Sequence, residues 1–592
     1  VIGLFAVTAA GRRAATDLAK RLGEDARVVE GPIRAALHRL WPELDAAVFF
    51  LATGATVRLV APLLADKHTD PGVVCVDEAG RFAVALTGGH AGGANALAER
   101  VADALGCTPV ITTASDATGT TPLDELVELL DATVDGDLAG CGVAVLDGEP
   151  VRLVNPLGFP LPALPANVAP DAHDPEWTVM VDDRIPVEPE HAAHGPGRPV
   201  LPEHGKLVRI VPRTLVVGVG SARDVSTTSV TSTLSQLEHE HGLDLRAVRA
   251  FATIDLKADE RGILEAVEDH GFWHGAAEFP LLHYPAAVLG TVDVPNPSEV
   301  VRAEVGTASV AEAAALHAAT ELAEGARVEL AAPKTKGDNV TVAAARIHPR
   351  GRLAVVGLGP GAADLRTARA ETELRRASVV VGLDQYVDQV RHLLRPGTEI
   401  RTSGLGAEEE RARDAVEQAT FGRAVALIGS GDAGVYAMAS PALERATAGV
   451  QVVGVPGITA ALAAAALLGA PLGHDHALIS LSDLHTPWPA IERRVRAAAE
   501  GDFVVCFYNP RSKQRDWQLG AALDLLREHR PPETPVGAVR QASRDGQRVW
   551  CAPIAEFDPS EVDMFTTVVV GSSHTRLIAG RMVTPRGYRW MT

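Results

Sequence analysis

Cysteine is scarce in this chain: Cys75, Cys107, Cys141, Cys506 and Cys551 are scattered over 592 residues, with no C-x-x-C pair. That distribution excludes a disulfide framework and a thiolate zinc site, and it fits a reducing cytoplasm. An excess of positive charge is missing too. At a formal net charge of −20, the chain offers no electrostatic footprint for nucleic acid or an anionic membrane. Nor is there a long apolar run. The Ala-rich stretch Ile458 to Leu472 falls short of a membrane span. The opening VIGLFAVTAAG lacks a basic leader region, so a first strand is expected there. What remains is the composition of a soluble enzyme, 46% hydrophobic and 22% charged, long enough for roughly four domains.

The rest of the chain is organised around RLAVVGLGPGAADLRT, Arg352 to Thr367. Leu353 to Val356 reads as a buried strand, and a helix-compatible segment is expected from near Ala362. Gly357, Gly359 and Gly361 between them let backbone N–H groups approach a ligand with no Cβ in the way. The spacing Gly357–Gly359–Ala362 also satisfies a dinucleotide fingerprint, with Asp384 near the position of a ribose-binding acid, which leaves a nucleotide-dependent oxidoreductase as a rival. Against it, Pro360 removes one N–H donor. Val425 to Ile428 and Val450 to Val455 are further strands, ending in GSGDAGVYAMASP and PGITAALAAAA. Three such strand ends are expected to converge on one cleft at the carboxyl edge of a sheet.

GLGPGAADLRT, GSGDAGVY and GVPGITA resemble the three signature loops of the tetrapyrrole methylases. LSDLHTPWPAIERR, FYNPRSKQR and VVVGSSHTRLIAGRMVTPRGY resemble, more narrowly, the precorrin-3B C17-methyltransferases of cobalamin biosynthesis. The resemblance covers 351–592. It implies a two-lobed α/β methylase that binds S-adenosylmethionine between its lobes, acts on a precorrin or its cobalt form with ring contraction, and forms a homodimer. Gly357, Gly359, Pro360, Gly361, Gly431, Asp432, Ala433, Val435, Tyr436, Thr459 and Ala460 are the cofactor-binding candidates it implies. Methyl transfer from an activated sulfonium needs alignment more than a strong base, so no catalytic triad is expected. Asn509, Arg511, Lys513 and Arg515 form a polar and basic cluster suited to the acetate and propionate rim of such a macrocycle.

The amino-terminal part reads as α/β over 1–117, with strands at Ile2–Thr8, Ala47–Leu51, Val73–Asp77 and Phe82–Leu86 and a helix at Arg12–Leu22. Thr87 to Gly93 is a Gly-rich loop holding His90, and Asn95 opens a helix with Leu97, Val101, Ala104 and Leu105 at helical spacing. A helix start under glycines suits an anion, and a tight strand-to-helix turn is the plain alternative. ATGATVRLVAPLLADKHTDPGVVCVDEAGRF, TGGHAGGAN and VITTASD resemble cobalt-precorrin-5A hydrolase, which opens a lactone and releases acetaldehyde. The family usually has Ser-Gly-His where this chain has Thr87-Gly88-Gly89-His90. The region 118–212 is Pro-rich and expected to be a middle region or linker. Over 213–348, FATIDLKADERGILEAVEDHG and LAAPKTKGDNVTVAAAR resemble the carboxy-terminal domain of the same hydrolase. The lactone chemistry calls for an activated water and a partner for the oxyanion. His90, Asn95 and Lys257 are the catalytic candidates. No metal site is expected, since His239 and His241 in LEHEHG read as a solvated helix end. A non-catalytic tetrapyrrole-binding amino-terminal half remains the alternative.

Overall fold

In the computed structural model the described residues are 1–23, 25–66, 69–89, 92–190, 198–274, 279–512 and 515–587. They form two compact units: Val1–Pro156, Leu164–Ala319 and Glu329–Arg346 in one, and Leu157–Ala163, Thr320–Val328 and Ile347–Thr592 in the other. The fold is α/β in several sheets. Among the described residues no helix is long and apolar enough to cross a membrane.

The first unit contains three sheets. In the six-stranded one, Ile2–Ala6, Ala46–Phe50 and Gly72–Val76 run parallel and are almost wholly buried. This is what continuous apolar runs under flanking helices require. Phe82–Thr87 then runs antiparallel to Gly72–Val76, and helix Ala94–Leu105 buries Leu97, Ala98 and Val101 against the sheet.

The middle region differs from the linker expectation. Ala132–Asp135, Val151–Val154, Val168–Ala169, Trp177–Val181 and Lys206–Pro212 make a five-stranded sheet. Prolines there fall between strands or at a strand end, so they remove few ladder donors. Asp183, fully buried, takes two hydrogen bonds from Arg346, at 2.6 and 2.8 Å, and one from Thr214. A third sheet follows, with Leu215–Ser221 at its centre and helix Thr227–His241 capped by Ser226.

In the second unit, one sheet is parallel throughout, with Gly351–Gly357 between Ala424–Gly429 and Val450–Val455. Register places Gly357 opposite Gly429, and Val356 opposite Val455, so the three carboxyl ends are level. The helix expected near Ala362 starts later. Ala363–Leu365 is a single 3-10 turn, and helix Ala368–Arg376 begins after the Thr367 cap. A second, mixed sheet contains Val504–Tyr508, Thr566–Val570 and Pro535–Arg540.

Candidate active site

At the level carboxyl ends the three glycine loops lock together. Gly359 and Gly431 exchange two backbone hydrogen bonds, at 3.0 and 2.8 Å, and Leu358 N–H donates to the Gly429 carbonyl. Gly357 is the packing point: a Cβ there would come within 2.7 Å of the Gly431 carbonyl oxygen and 2.8 Å of the Gly457 nitrogen. Gly431 has φ of +68°, which a β-branched residue resists. Asp432 staples the loops, its carboxylate accepting from Gly434 N–H at 2.8 Å and Gly457 N–H at 3.0 Å.

Beside these loops lies a cavity of about 340 Å³ between the parallel and the mixed five-stranded sheets of this unit. Of the cofactor-binding candidates, Pro360, Gly431, Asp432, Val435, Tyr436, Thr459 and Ala460 line it. Gly357, Gly359, Gly361 and Ala433 do not, although a Cβ at Gly361 would meet the Arg544 side chain of the cavity wall. Gly429 also lines the cavity, and a Cβ there would meet nothing within 4 Å, so the space opens onto bare backbone.

The far wall comes from the second sheet. Tyr508 ends its strand with the phenol oxygen sharing a 2.5 Å hydrogen bond with Thr459 and accepting the Ala461 N–H at 2.9 Å. Burial pushes its phenol up, against the lowering pull of those two bonds. Tyr436, at φ +52°, donates to the Leu478 carbonyl and leans on the Tyr508 ring, centroids 5.2 Å apart.

Asn509 lines the cavity and donates to Ser480 at 3.1 Å. The rest of its expected cluster does not join it as free charge. Arg515 is buried, bonded to the Asn509 carbonyl, and 3.8 Å from Asp483; burial pulls its guanidinium down. Arg511 donates to the Pro559 carbonyl. Lys513 lies outside the described residues. The sequence reading missed the cations that do line the cavity, Arg411 and Arg544, and Tyr386 with them.

In the first unit, buried Asn95 donates from Nδ2 to the Thr113 hydroxyl at 3.0 Å and the Asp116 carboxylate at 2.8 Å. Thr113 also donates to Asp116, and Asn95 N–H ties the helix start to the Gly89 carbonyl. An acid, a hydroxyl and an amide therefore meet beside the glycine loop. Thr113 and Asp116 stand in the VITTASD motif, whose spacing alone does not show this convergence. His90 lies outside the described residues. Lys257 belongs to another sheet's edge, and it is not a free surface charge. It is buried in the 3-10 turn Asp255–Lys257, its ammonium 2.9 Å from Glu260. Burial alone would raise the Glu260 carboxyl; that ammonium and nearby backbone N–H groups hold it below the usual range.

Three family profiles match the chain: Tetrapyrrole (Corrin/Porphyrin) Methylases over residues 352–558, Cobalamin synthesis G N-terminal over 35–116, and Cobalamin synthesis G C-terminus over 215–345. A probable cobalt-factor III C(17)-methyltransferase of Salmonella typhimurium is 46% identical over 239 residues, 40% of this chain and 99% of that one. A precorrin-3B C(17)-methyltransferase of Sinorhizobium sp is 43% identical, over 38% of this chain and 91% of its own. The crystal structure of the methyltransferase CobJ matches 40% of this chain and 100% of that one at 39% identity, with a TM-score of 0.37.

Proposed function

The chain belongs to the tetrapyrrole methylases, and on that premise we propose that its carboxy-terminal unit is an S-adenosylmethionine-dependent C17-methyltransferase of cobalamin biosynthesis. Its substrate in this reading is precorrin-3B or the cobalt-bearing counterpart, methylated with ring contraction, and the unit self-associates as a homodimer. The observation that carries the reading is 46% identity spanning nearly all of the Salmonella relative.

The cavity fits the cofactor in one specific respect: bare backbone at Gly429 faces open space that a Cβ would enter, with Gly431 beside it on the same wall. When bound, S-adenosylmethionine supplies a methyl group already activated on a sulfonium. The chain's work is then alignment and exclusion of water. Pro360, Gly431 and Thr459 shape the wall on the glycine-loop side, with Asp432 holding the loops in register. Tyr508, fixed by Thr459 and Ala461, and Tyr436 close the opposite wall with aromatic surface.

For the amino-terminal unit the reading is a cobalt-precorrin-5A hydrolase-like activity, opening a lactone and releasing acetaldehyde. His90 and Asn95 are its candidate residues, with Asp116 and Thr113 beside Asn95. The engagement of Lys257 by Glu260 favours a second reading, in which this unit binds a tetrapyrrole without turnover. Acetaldehyde release from the lactone intermediate decides between them: it is abolished in Asn95→Ala if the unit is catalytic, and absent even from the unaltered chain if it only binds. Incubation of cobalt-factor III or precorrin-3B with the cofactor, followed by mass spectrometry, tests the methylase. A methylated, ring-contracted product is expected, and recovery of unmodified substrate overturns the reading.

A further inference from the structure

Buried cations in this chain generally meet a carboxylate. Arg346 pairs with Asp183, Arg352 with Glu373 and Arg209 with Asp244, all at 2.8 Å or less. Two arginines on the cavity wall break the pattern. Arg411, only 4% exposed, donates to the Ser403 hydroxyl and the Gly404 carbonyl, both at 2.9 Å, and contacts the Met438 sulfur at 3.5 Å. Arg544 donates to the Pro360 carbonyl at 2.6 Å and the Ser430 hydroxyl at 2.7 Å. Among the described residues neither has an ion-pair partner, and every acceptor they use is neutral.

The acids on the same wall do not neutralise them. Asp432 is engaged by Gly434 and Gly457, and Glu408 accepts the Gly406 N–H at 3.3 Å. Arg411, withdrawn from water with no counter-charge, is unfavourable unless an anion arrives, and Arg544 sets a second, partly exposed positive charge on the same wall. Their neutral bonds fix the side chains in place, so the remaining N–H donors are oriented before a ligand binds. The helix Glu408–Thr420 adds its amino-terminal dipole on the Arg411 side.

We propose that Arg411 and Arg544 are a preorganised carboxylate receptor that takes two rim carboxylates of the tetrapyrrole and so fixes which ring position faces the methyl donor. This rests on the methylase reading above. A planar fork suits carboxylate recognition better than an ammonium does, so lysine is a poor replacement at either position. The cofactor also carries a carboxylate, and the test separates the two sources.

The full chain and the variants Arg411→Gln, Arg544→Gln and Arg544→Lys are titrated with S-adenosylhomocysteine by calorimetry. Each is also titrated with the octacarboxylate uroporphyrin III and the tetracarboxylate coproporphyrin III by fluorescence. In the unaltered chain uroporphyrin binds more tightly than coproporphyrin. Each variant loses on the order of tenfold in uroporphyrin affinity and narrows the preference, and this loss exceeds any accompanying change in S-adenosylhomocysteine affinity. Arg544 is partly exposed, so its two variants carry the test even if Arg411→Gln does not fold. Unchanged uroporphyrin affinity in folded Arg544 variants overturns the proposal. So does a loss confined to S-adenosylhomocysteine, which assigns the pair to the cofactor. Failure of the unaltered chain to bind S-adenosylhomocysteine instead removes the methylase reading on which the pair rests.

Discussion

In the amino-terminal unit the buried cations meet carboxylates of the same chain, whereas the cavity of the carboxy-terminal unit holds two arginines that meet only neutral acceptors. Arg346, Arg209 and Lys257 are completed by Asp183, Asp244 and Glu260, so their charge is structural. Arg411 and Arg544 are held but not neutralised. Internal pairing marks charge that maintains a fold, and charge left oriented and unpaired in a cavity marks binding. By that criterion Lys257, paired with Glu260, belongs to the charges that maintain the fold.

The comparison breaks most sharply at the glycine loops. Gly431→Val forces a β-branched residue to φ +68° at the cavity wall, strain worth up to about 3 kcal/mol of fold stability, and sets a side chain on the backbone that lines the cavity. Calorimetry with S-adenosylhomocysteine is expected to show no binding in a folded variant. Unchanged affinity removes the cleft assignment. In the paired unit, Arg346→Met leaves Asp183 buried without its partner, and the expected loss is about 3–5 kcal/mol of stability by denaturant titration. A loss below about 1 kcal/mol shows that the pair is not structural.

Much of this architecture is legible in the residues, and the exceptions have physical causes. Apolar runs bounded by glycines locate the strands of the central parallel sheet, because a strand covered on both faces needs no polar alternation. Arg411 is invisible for the opposite reason. It stands in EEERARDAVEQAT, where an arginine among acids reads as a solvated helix face, and only the tertiary packing of Ser403, Gly404 and Met438 around it reveals otherwise. The sheet of the middle region is obscured by proline density, which marks turns there rather than a linker. Gly357 and Gly361 carry the methylase signature yet do not line the cavity, since the loop motif encodes how loops pack as well as what they touch.

A pH titration sharpens the contrast from the paired side. Burial pushes His270 down to about 3, and its Nε2 has no hydrogen-bond partner. The folded state keeps it neutral while the unfolded chain takes up a proton below about 6.5. Its stabilising contribution is therefore complete above that pH and falls by about 1.4 kcal/mol per pH unit between roughly 6.5 and 3. Denaturant midpoints against pH are expected to show this slope flattened in His270→Leu. Identical slopes in the two proteins mean that His270 is not the group responsible. The smallest effect is expected at Gly429→Ala. A Cβ there meets no protein atom, so stability stays within about 1 kcal/mol while S-adenosylhomocysteine affinity falls roughly tenfold. Equal affinity shows that the ligand does not approach that backbone.

Methyl transfer to the tetrapyrrole is proposed to take place in the glycine-loop cavity. It is tested most directly by incubating cobalt-factor III or precorrin-3B with methyl-labelled S-adenosylmethionine and locating the label by NMR, for the unaltered chain and for Gly431→Val in parallel. The account predicts label at C17 of a ring-contracted product from the unaltered chain and none from the variant. Label at another carbon, or equal labelling by both proteins, contradicts it.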